Sequence, residues 1–476
     1  MYDLIVIGGG VNGVGIARDA AGRGLSVCLL EKNDLASATS SSSTKLIHGG
    51  LRYLEQYDFK LVADSLNERE RLLHAAPHLI WPLKFILPHE SHLRPAWMIR
   101  IGLFLYDSLG KRNVLMASKS VNFKKDISGK PLKKKYKKGF SYADCWVDDA
   151  RLVVLCAKDA EAFGADIRTR TACTSLLVKS DGAIWEVEAE DQITGKSETL
   201  HAKCVVNAAG PWVRNFLDDN DLVTSDTYQT RYSKGSHIIV KKLYEGDHAY
   251  ILQQEDNRII FAIPYEQDFT LIGTTDSIYE GDPSNVEISK DEIQYLCAAI
   301  NRSFEHEISP DDVVWSYSGV RPLLDSGDEN LSKVTRDYKF NLEEIFGPPI
   351  LNVFGGKMTT FRKLSSQAVD LIAGYFDNIQ PSWTDGARIY GGAIEHDDFD
   401  AFLAEKQKKY PWLNPKMLER CCHAYGTHID KVLHNADKEE DLGEHYGDHV
   451  YEAEIRYMIS DEWARTLDDI IWRRSK

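Results

Sequence analysis

Glycines near the start of the chain have the spacing of a phosphate-binding turn. Gly8, Gly10 and Gly13 fit the pattern G-x-G-x-x-G. The first glycine of this pattern permits a tight turn, the second lets the backbone approach a pyrophosphate, and the third lets a helix pack close to the preceding strand. Glu31 follows Gly8 by twenty-three residues, where an acidic side chain can accept both hydroxyls of an adenosine ribose. The spacing predicts a site for an ADP-containing dinucleotide.

Histidines and arginines further along the chain could handle a proton and a phosphate. His48 and His237 are candidate general bases because imidazole titrates near neutrality. Arg321 and Arg336 lie in polar turns, and a guanidinium fork matches phosphate oxygens bidentately. This set would suit the oxidation of a phosphorylated alcohol. Either histidine could instead be a core residue, and either arginine a surface ion-pair partner.

Lys357 bears on the choice between a nicotinamide and a flavin, which share the ADP half of the site. It follows Gly355 and Gly356 at the start of a predicted helix. A lysine and a helix dipole together stabilise negative charge. A reduced flavin carries negative charge near N1, whereas a nicotinamide that has gained a hydride is neutral. Lys357 therefore favours FAD.

A strand-helix-strand unit must position the glycines and Glu31. Residues 4–7 form an apolar run typical of a strand buried in a parallel sheet. A helix is predicted from about residue 12 to a stop at Gly24, with a second strand at 25–30. The helix N-terminus would face the phosphates. The serine-rich stretch 33–44 follows, and its hydroxyls could bind pyrophosphate.

Two later strands are predicted to end at the same site. Residues 202–207 lead into a tight turn at Ala209 and Gly210 that lets the backbone reach the adenine half, and residues 350–354 lead into Gly355. Between them, the alternating segments 236–240, 258–263 and 269–273 predict an antiparallel sheet. From about Gly386 the chain is polar, charged and helical.

These patterns predict an α/β fold with three units. A discontinuous Rossmann-like FAD-binding domain would comprise residues 1–75, 145–225 and 345–385. A substrate domain built on an antiparallel sheet, which would also face the membrane, would comprise 76–144 and 226–344. A C-terminal helical cap domain would comprise 386–476.

Composition excludes several classes of protein. The 476 residues carry a net charge of −15, which disfavours nucleic acid as a partner. Eight cysteines lack C-x-x-C spacing, so we expect reduced, cytosolic thiols and neither a metal site nor a disulfide framework. The N-terminus lacks the features of a signal peptide. No apolar run reaches the roughly 18 residues of a membrane-spanning helix.

Longer motifs resemble one family. The strings STKLIHGGLRYLE at 43–55 and DCWVDDARL at 144–152 are similar to those of the FAD-dependent, quinone-linked sn-glycerol-3-phosphate dehydrogenases. Further matches run through most of the chain, at 207–212, 234–237, 272–276, 319–323, 335–337, 355–362 and 462–469. Chains of this family usually continue for another helix beyond the equivalent of Trp472, Arg473 and Arg474.

The resemblance implies oxidation of sn-glycerol 3-phosphate to dihydroxyacetone phosphate by hydride transfer to FAD, with electrons passed to a membrane quinone. The residues that it and the patterns above assign to catalysis and substrate binding are His48, Arg52, Tyr53, His237, Arg321, Arg336 and Lys357. Those assigned to FAD are Gly8, Gly10, Gly13, Glu31, Lys32, Thr39, Ser40, Ser43, Thr44, Leu46, Ala209, Gly210, Gly355, Gly356, Lys357, Met358 and Thr359.

Other functions fit the same patterns. A glycerol-3-phosphate oxidase using oxygen would have the same site, and a relative that oxidises amino acids would have the same fold. Paired arginines argue against an amine substrate. A flavin-binding protein of this fold without turnover is an alternative of a different class.

Two adjacent segments predict contact with an anionic membrane surface. Residues 95–109 are largely apolar around the helical wheel, except for one narrow sector that holds Arg100 and Asp107. Residues 123–138 hold eight lysines and one aspartate, and each lysine near anionic lipid contributes about 1 kcal/mol. With the family resemblance, this predicts a cytoplasmic protein that is peripheral on the cytoplasmic face of the inner membrane. The sequence is also compatible with a homodimer.

Overall fold

The computed structural model describes residues 1–90, 94–110, 114–179, 182–256, 258–324, 337–434 and 436–475, except the side chains of Arg52, Glu55 and Gln56. The strands of this part of the chain are β1 (Tyr2–Ile7), β2 (Val27–Leu30), β3 (Leu46–Ile47), β4 (Ile80–Pro88), β5 (Lys119–Asn122), β6 (Lys138–Val147), β7 (Asp166–Arg168), β8 (Thr171–Val178), β9 (Trp185–Asp191), β10 (Ser197–Asn207), β11 (Thr230–Lys241), β12 (Ala249–Gln253), β13 (Ile259–Tyr265), β14 (Phe269–Gly273), β15 (Ser277–Tyr279), β16 (Val313–Leu324), β17 (Lys339–Glu343) and β18 (Ile350–Phe354).

The α-helices are α1 (Val11–Gly22), α2 (Phe59–Ala75), α3 (Ala96–Leu109), α4 (Asp149–Ala162), α5 (Val213–Asp219), α6 (Lys290–Ser303), α7 (Phe361–Ile372), α8 (Phe399–Lys409), α9 (Pro415–Tyr425), α10 (Ile429–Val432), α11 (Glu452–Ser460) and α12 (Leu467–Ile470). Short 3-10 turns at Thr39–Ser41, Leu51–Gln56, Gly210–Trp212 and Met358–Thr360 also matter for the site.

The first sheet carries the predicted strand-helix-strand unit. Its parallel strands lie in the order β18-β10-β1-β2-β7. Leu4, Ile5 and Val6 of β1 are fully buried, which explains a strand without polar alternation. Helices α1, α4 and α7 share one core with this sheet. Antiparallel β17 adds to the β18 edge, and the β8–β9 hairpin pairs with the first half of β10.

The second sheet is mostly antiparallel, as the alternating segments predict. Its order is β15-β11-β14-β13-β12-β4-β6-β3, with β16 paired to β11 and β5 paired to β6. Within this second sheet, the β4–β12 pair is the one parallel pair among the described strands. Helix α6 packs on the sheet through Leu296, Cys297 and Ile300 in a separate core. Strand β11 pairs with β16 over most of its length.

The C-terminal region has a core of its own. Helices α8 to α11 contribute Phe402, Met417, Cys421, Ile429 and Met458 to one buried cluster. The predicted fold class is therefore confirmed: a Rossmann-like domain, a largely antiparallel second sheet and a helical C-terminal domain.

Two short strands each lie in one predicted domain but pair with a strand of the sheet that belongs to another predicted domain. β3, from the range 1–75, pairs with β6 of the second sheet, and β17, from the range 226–344, pairs with β18 of the first. Both short strands find backbone partners only through the tertiary fold. The domain boundaries stay a prediction.

The two predicted membrane segments are folded elements. Trp97, Ile101 and Phe104 of α3 are 63%, 51% and 62% exposed, whereas Leu103 and Tyr106 face inward and are buried. In residues 123–138, Leu132 and Tyr136 belong to the core beneath α6 and most of the lysines point outward. Among the helices of the described chain, none is both long and apolar enough to cross a bilayer.

Candidate active site

The glycine turn lies where β1 ends and α1 begins. Gly8 has φ +107°, and a Cβ there would lie 2.6 Å from the carbonyl oxygen of Ala208. A Cβ on Gly13 would lie 1.8 Å from the carbonyl oxygen of Gly8. Only glycine allows this close approach of α1 to β1 and β10. Gly10 caps α1 without a side chain, so the N-terminus of the helix remains open to a ligand.

Glu31 is tied to the same turn. Its Oε2 accepts a hydrogen bond of 2.6 Å from the N–H of Gly9, and its Oε1 accepts one of 2.7 Å from Asn33. Burial raises the pKa of Glu31, against the effect of these two donors. The adjacent Lys32 is exposed, and its ammonium lies 4.6 Å from the ring centroid of Trp212. The acid thus lies beside the turn, as the sequence spacing predicts.

Hydroxyls of the serine-rich stretch meet the helix N-terminus. Ser40 Oγ accepts a hydrogen bond of 3.0 Å from the N–H of Val11, the first residue of α1. Thr39 donates to the carbonyl oxygen of Val320 in β16, at 2.7 Å. The 3-10 turn at Thr39–Ser41 therefore links the phosphate end of α1 to the second sheet.

The carboxyl ends of β10 and β18 complete this edge of the first sheet. Ala209 and Gly210 follow β10, and Gly210 has φ +58°. Gly355 and Gly356 follow β18 with φ +74° and +102°. The side-chain amide of Asn12 donates to the carbonyl oxygen of Gly355 at 3.1 Å. Ligands of open α/β sheets bind beyond such carboxyl ends.

An orphaned polar atom indicates that a ligand completes this edge. Asn12 Oδ1 is buried and has no hydrogen-bond partner among the described residues, and buried polar atoms are nearly always paired. Together with the open helix N-terminus and Glu31, this arrangement fits a dinucleotide, with its pyrophosphate at α1 and its adenosine ribose at Glu31.

A buried polar network holds the backbone of residues 48–50 in place. The N–H of Gly49 donates to the hydroxyl of Tyr106 at 2.8 Å, and that hydroxyl donates to Asp144. Asp144 also pairs with Arg69 at 2.7 Å. Burial raises the pKa of Tyr106 well above its usual range, so its hydroxyl keeps its proton. The half-buried His48 lies next to this anchored position and is bonded through its backbone to Thr359.

A second buried network holds residues 43–45. Asp149, at the start of α4, accepts from Ser43 Oγ at 2.8 Å and pairs with Lys45 at 2.7 Å. Tyr317 of β16 donates to the carbonyl oxygen of Ser43 at 2.8 Å. Leu46 is buried in the core of the second sheet. This network joins α4 of the first sheet to β16 of the second.

His237 occupies a closed position in β11. It is fully buried, stacks on the Tyr317 ring at 4.8 Å between centroids, and lies 2.9 Å through Nε2 from Thr44 Oγ1. Burial first, and then the positive charges of Arg321 and Lys45, lower the pKa of His237 to about 3. The imidazole is therefore neutral at physiological pH.

Arg321 lies beside this histidine on the neighbouring strand. β16 pairs Arg321 with Ser233 and Tyr317 with His237. A Cβ on Gly235 would lie 3.4 Å from Arg321 Nη2 and 2.7 Å from Thr274 Oγ1, so the glycine leaves room for the guanidinium. The half-buried Arg321 thus brings a fixed positive charge to the boundary between the two sheets.

Lys357 lies over Tyr53. Its ammonium is 4.0 Å from the centroid of the Tyr53 ring, a cation–π contact. The expected helix start at Lys357 is a 3-10 turn, Met358–Thr360, which leads into α7. Among the other predicted site residues, the side chain of Arg52 and all of Arg336 lie outside the described residues.

Several residues around the site carry no assignment in the sequence analysis. Asn12, Lys45, Tyr106, Asp149 and Tyr317 make the contacts described above. Asp149 could have been found from the acidic pair that opens α4, a position that favours acids. Lys45 and Asp149 become partners only in the fold, and Tyr106 lies on a helix whose pattern indicated lipid contact. In the described chain, no group of three or more metal-ligating side chains could hold a metal ion.

Comparison with known proteins agrees with this geometry. A family model described as FAD dependent oxidoreductase matches residues 3–362, and one described as C-terminal domain of alpha-glycerophosphate oxidase matches residues 382–476. The chain is 50% identical over 475 residues to the aerobic glycerol-3-phosphate dehydrogenase of Escherichia coli (strain K12), covering 100% of this chain and 93% of the relative. It is 49% identical over 474 residues to the D-erythritol 1-phosphate dehydrogenase of Brucella abortus (strain 2308), covering 100% of this chain and 94% of that enzyme.

Solved structures show the same architecture. The glycerol-3-phosphate dehydrogenase from Bacillus halodurans complexed with FAD aligns with a TM-score of 0.80 and 30% identity, covering 100% of this chain and 86% of that one. The L-alpha-glycerophosphate oxidase from Mycoplasma pneumoniae shares the fold, with a TM-score of 0.64 and 16% identity over 81% of this chain and 98% of that one. The chain therefore belongs to the FAD-dependent oxidoreductase family, in the branch that contains these glycerol-3-phosphate dehydrogenases, and its cofactor is FAD.

Proposed function

We propose that this enzyme oxidises sn-glycerol 3-phosphate to dihydroxyacetone phosphate. The observation that carries the proposal is 50% identity over the whole chain to enzymes named as glycerol-3-phosphate dehydrogenases, from Escherichia coli and Pseudomonas aeruginosa. Bound FAD would supply the acceptor for the hydride that leaves C2 of the substrate. The C2 hydroxyl loses its proton at the same time, so the carbinol becomes a ketone. The chain must supply a proton acceptor and a cation for the phosphate.

His48 is the proton acceptor in this proposal. It is half-buried, and its backbone is held by Thr359 on one side and by the anchored Gly49 on the other. His237 is the weaker candidate because an imidazole with a pKa of about 3 is too weak a base to accept the substrate proton efficiently at neutral pH. In this proposal His237 holds Thr44 in place through the contact with its hydroxyl. Its neutral imidazole adds no charge to the site.

Arg321 binds the substrate phosphate in this proposal. Its guanidinium lies beside Gly235 and Thr274, and after burial its charge is the next cause that lowers the pKa of His237. The family resemblance adds Arg52 and Arg336 as further phosphate or substrate contacts. Lys357 supplies positive charge close to Tyr53, and this charge would stabilise the negative charge that develops on the reduced flavin or on the substrate oxygen.

A second substrate has a specific observation in its favour. The Brucella abortus relative, which is 49% identical over the whole chain, is named as a D-erythritol 1-phosphate dehydrogenase. Both substrates are polyol monophosphates, so the phosphate site alone does not separate them. The two assignments are separated by measuring kcat/KM for sn-glycerol 3-phosphate, D-erythritol 1-phosphate and unphosphorylated glycerol. We expect sn-glycerol 3-phosphate to lead by at least about tenfold, or 1.4 kcal/mol, and a lead for D-erythritol 1-phosphate would favour the second assignment.

We further propose that the acceptor is a membrane quinone and that the enzyme is peripheral on the cytoplasmic face of the inner membrane. The exposed face of α3, with Trp97, Ile101 and Phe104, supports insertion at a lipid interface. Exposed lysines in residues 123–138, such as Lys134 and Lys137, support attraction to anionic headgroups. Transfer of electrons to oxygen, as in an oxidase, is the competing route. A homodimer, measurable by light scattering, is compatible with both.

A further inference from the structure

The loop after β2 and the glycine turn form one unit. We call residues 31–36 the ribose loop. Gly9 donates from its N–H to Glu31 Oε2 at 2.6 Å, and the N–H of Ala36 donates back to the carbonyl oxygen of Gly9 at 3.1 Å. Between these contacts lies Asp34, whose side chain is 1% exposed. A displacement of Asp34 must therefore disturb both Glu31 and the phosphate-binding turn.

Asp34 is held by two arginines from the far end of the chain. We call residues 462–475 the C-terminal strap. Arg474, which is fully buried, donates to Asp34 Oδ2 at 2.7 Å and to Oδ1 at 2.8 Å. Arg473 donates to Oδ2 of the same carboxylate at 2.5 Å. A bidentate guanidinium contact fixes both distance and angle. The carboxylate thus has its position set by the strap.

The strap is anchored on three other elements. Glu462 forms a buried bidentate pair with Arg151 of α4, at 2.6 and 2.8 Å. Asp469 pairs with Arg170 at 2.6 Å, and the N–H of Arg170 donates to the carbonyl oxygen of Asn33 in the ribose loop at 2.8 Å.

The last anchor is aromatic. Trp472 stacks on Trp315 of β16 with 4.4 Å between ring centroids and 17° between planes. β16 also carries Arg321 and the carbonyl group of Val320 that accepts from Thr39. The strap therefore contacts elements that belong to both sheets.

We propose that docking of the C-terminal strap onto Asp34 orders the ribose loop, so that strap docking and FAD binding are thermodynamically linked. Arg473 and Arg474 are then positioning residues for the cofactor, although neither lies in the strand-helix-strand unit. A buried charge that loses its partner is strongly unfavourable. When the strap undocks, Asp34 therefore turns towards water. This movement displaces Glu31, which lies in the same loop. Linkage is reciprocal: bound FAD must in turn hold the strap in place.

Variants test the first half of this linkage. The dissociation constant of FAD is measured by flavin fluorescence on apoprotein of Asp34→Asn and Arg474→Ala, with Arg474→Lys as the conservative variant. Arg456→Ala is the matched control, because Arg456 belongs to the same domain and is exposed in its pair with Glu452. We expect FAD to bind at least tenfold more weakly to the first two variants, with partial recovery in Arg474→Lys. Binding within twofold of the parent in both would overturn the proposal.

Hydrogen exchange of the unmodified protein tests the second half, and needs no variant to fold. Amides of residues 467–475 are followed in apoprotein and in the FAD-loaded protein. We expect FAD to slow their exchange at least threefold, while α6, whose hydrophobic cluster contains no strap residue, exchanges at the same rate. An unchanged rate in the strap overturns the linkage. The inference rests on FAD as cofactor and not on the substrate, so failure of the proposed glycerol 3-phosphate activity would leave it standing.

Discussion

The hydroxyl of Tyr106 accepts a hydrogen bond of 2.8 Å from the N–H of Gly49, the residue that follows His48. Tyr106 lies on the inner face of α3, whose outer face exposes Trp97 and Phe104. One helix thus presents apolar side chains to the surroundings and anchors the backbone beside the proposed base. Asp144 and Arg69 complete the anchor.

Tyr106→Phe should lower turnover while FAD stays bound. The substitution removes the nearer acceptor of the Gly49 N–H and leaves it only the 3.4 Å contact with Asp144, and a poorly paired buried polar group costs up to about 1–3 kcal/mol. We expect a loss of stability in this range and a fall in kcat, with little change in KM. Tyr446→Phe is the control, since Tyr446 is 56% exposed in the C-terminal domain. Equal kcat values in the two variants would mean that the anchor does not position His48.

Arg321→Ala should weaken binding of the phosphorylated substrate. The loss of a charge-assisted hydrogen bond is worth about 1.5–3 kcal/mol, which corresponds to a rise of roughly 10- to 100-fold in KM. FAD content should stay that of the parent. Arg258→Ala is a suitable control because Arg258 precedes β13 of the same sheet and is about half exposed. A normal KM for Arg321→Ala would move the phosphate site away from β16.

Binding to anionic vesicles should depend on both membrane segments. Neutralising Lys133, Lys134, Lys135, Lys137 and Lys138 removes five charges that each contribute about 1 kcal/mol near anionic lipid. Replacing Trp97, Ile101 and Phe104 with serine removes the exposed apolar face of α3. Co-sedimentation with the vesicles should drop both in the lysine variant and in the serine variant. Binding of the parent protein should weaken as the salt concentration rises. Leu177→Ser, exposed on β8, is the control. A parent protein that stays in the supernatant at low salt would contradict the membrane proposal and favour oxygen as acceptor.

Stability should fall as the pH drops below about 6.5. Burial lowers the pKa of His78 and of His237 to about 3 in the folded protein. Between pH 6.5 and 3 the unfolded chain binds a proton at each histidine that the folded chain does not. The free energy of unfolding therefore declines by up to about 1.4 kcal/mol per pH unit for each group.

Substitution separates these histidines from the carboxylates that titrate in the same range. His78→Asn and His237→Asn should each reduce the slope of this decline by the contribution of one histidine, up to about 1.4 kcal/mol per pH unit. Leu177→Ser should leave it unchanged, because that exposed side chain does not titrate. Denaturant unfolding at several pH values measures the slopes. Parallel slopes for all variants would show that neither imidazole is kept neutral by the fold.

The positions of the glycine turn and of Glu31 were predictable from the sequence because they are local, whereas their roles toward the nucleotide stay a prediction. Gly8, Gly13 and Glu31 lie within one strand-helix-strand unit, where sequence spacing sets spatial position. The predicted second strand, 25–30, begins at Val27 in the structure, since Leu25 still belongs to the turn after α1. A short 3-10 turn precedes α7 where a helix was predicted directly at Lys357.

Long-range contacts explain what the sequence could not predict. The His237 ring is enclosed by Gly273 of β14 and Tyr317 of β16, so its burial and low pKa follow from strand pairing. The Lys45–Asp149 pair spans 104 positions and the Arg474–Asp34 pair spans 440. The lysine-rich run, typical by composition of a solvated loop, is folded because Leu132 and Tyr136 enter the core beneath α6.

Anaerobic reduction of the bound flavin separates a glycerol-3-phosphate dehydrogenase from a flavin-binding protein without turnover. The FAD-loaded enzyme is mixed without oxygen with sn-glycerol 3-phosphate, and the visible flavin absorbance is followed while dihydroxyacetone phosphate is assayed. We expect bleaching with one dihydroxyacetone phosphate formed per flavin, and no bleaching with glycerol. Flavin that stays oxidised with both sn-glycerol 3-phosphate and D-erythritol 1-phosphate would contradict the account and indicate a flavin-binding protein without this turnover.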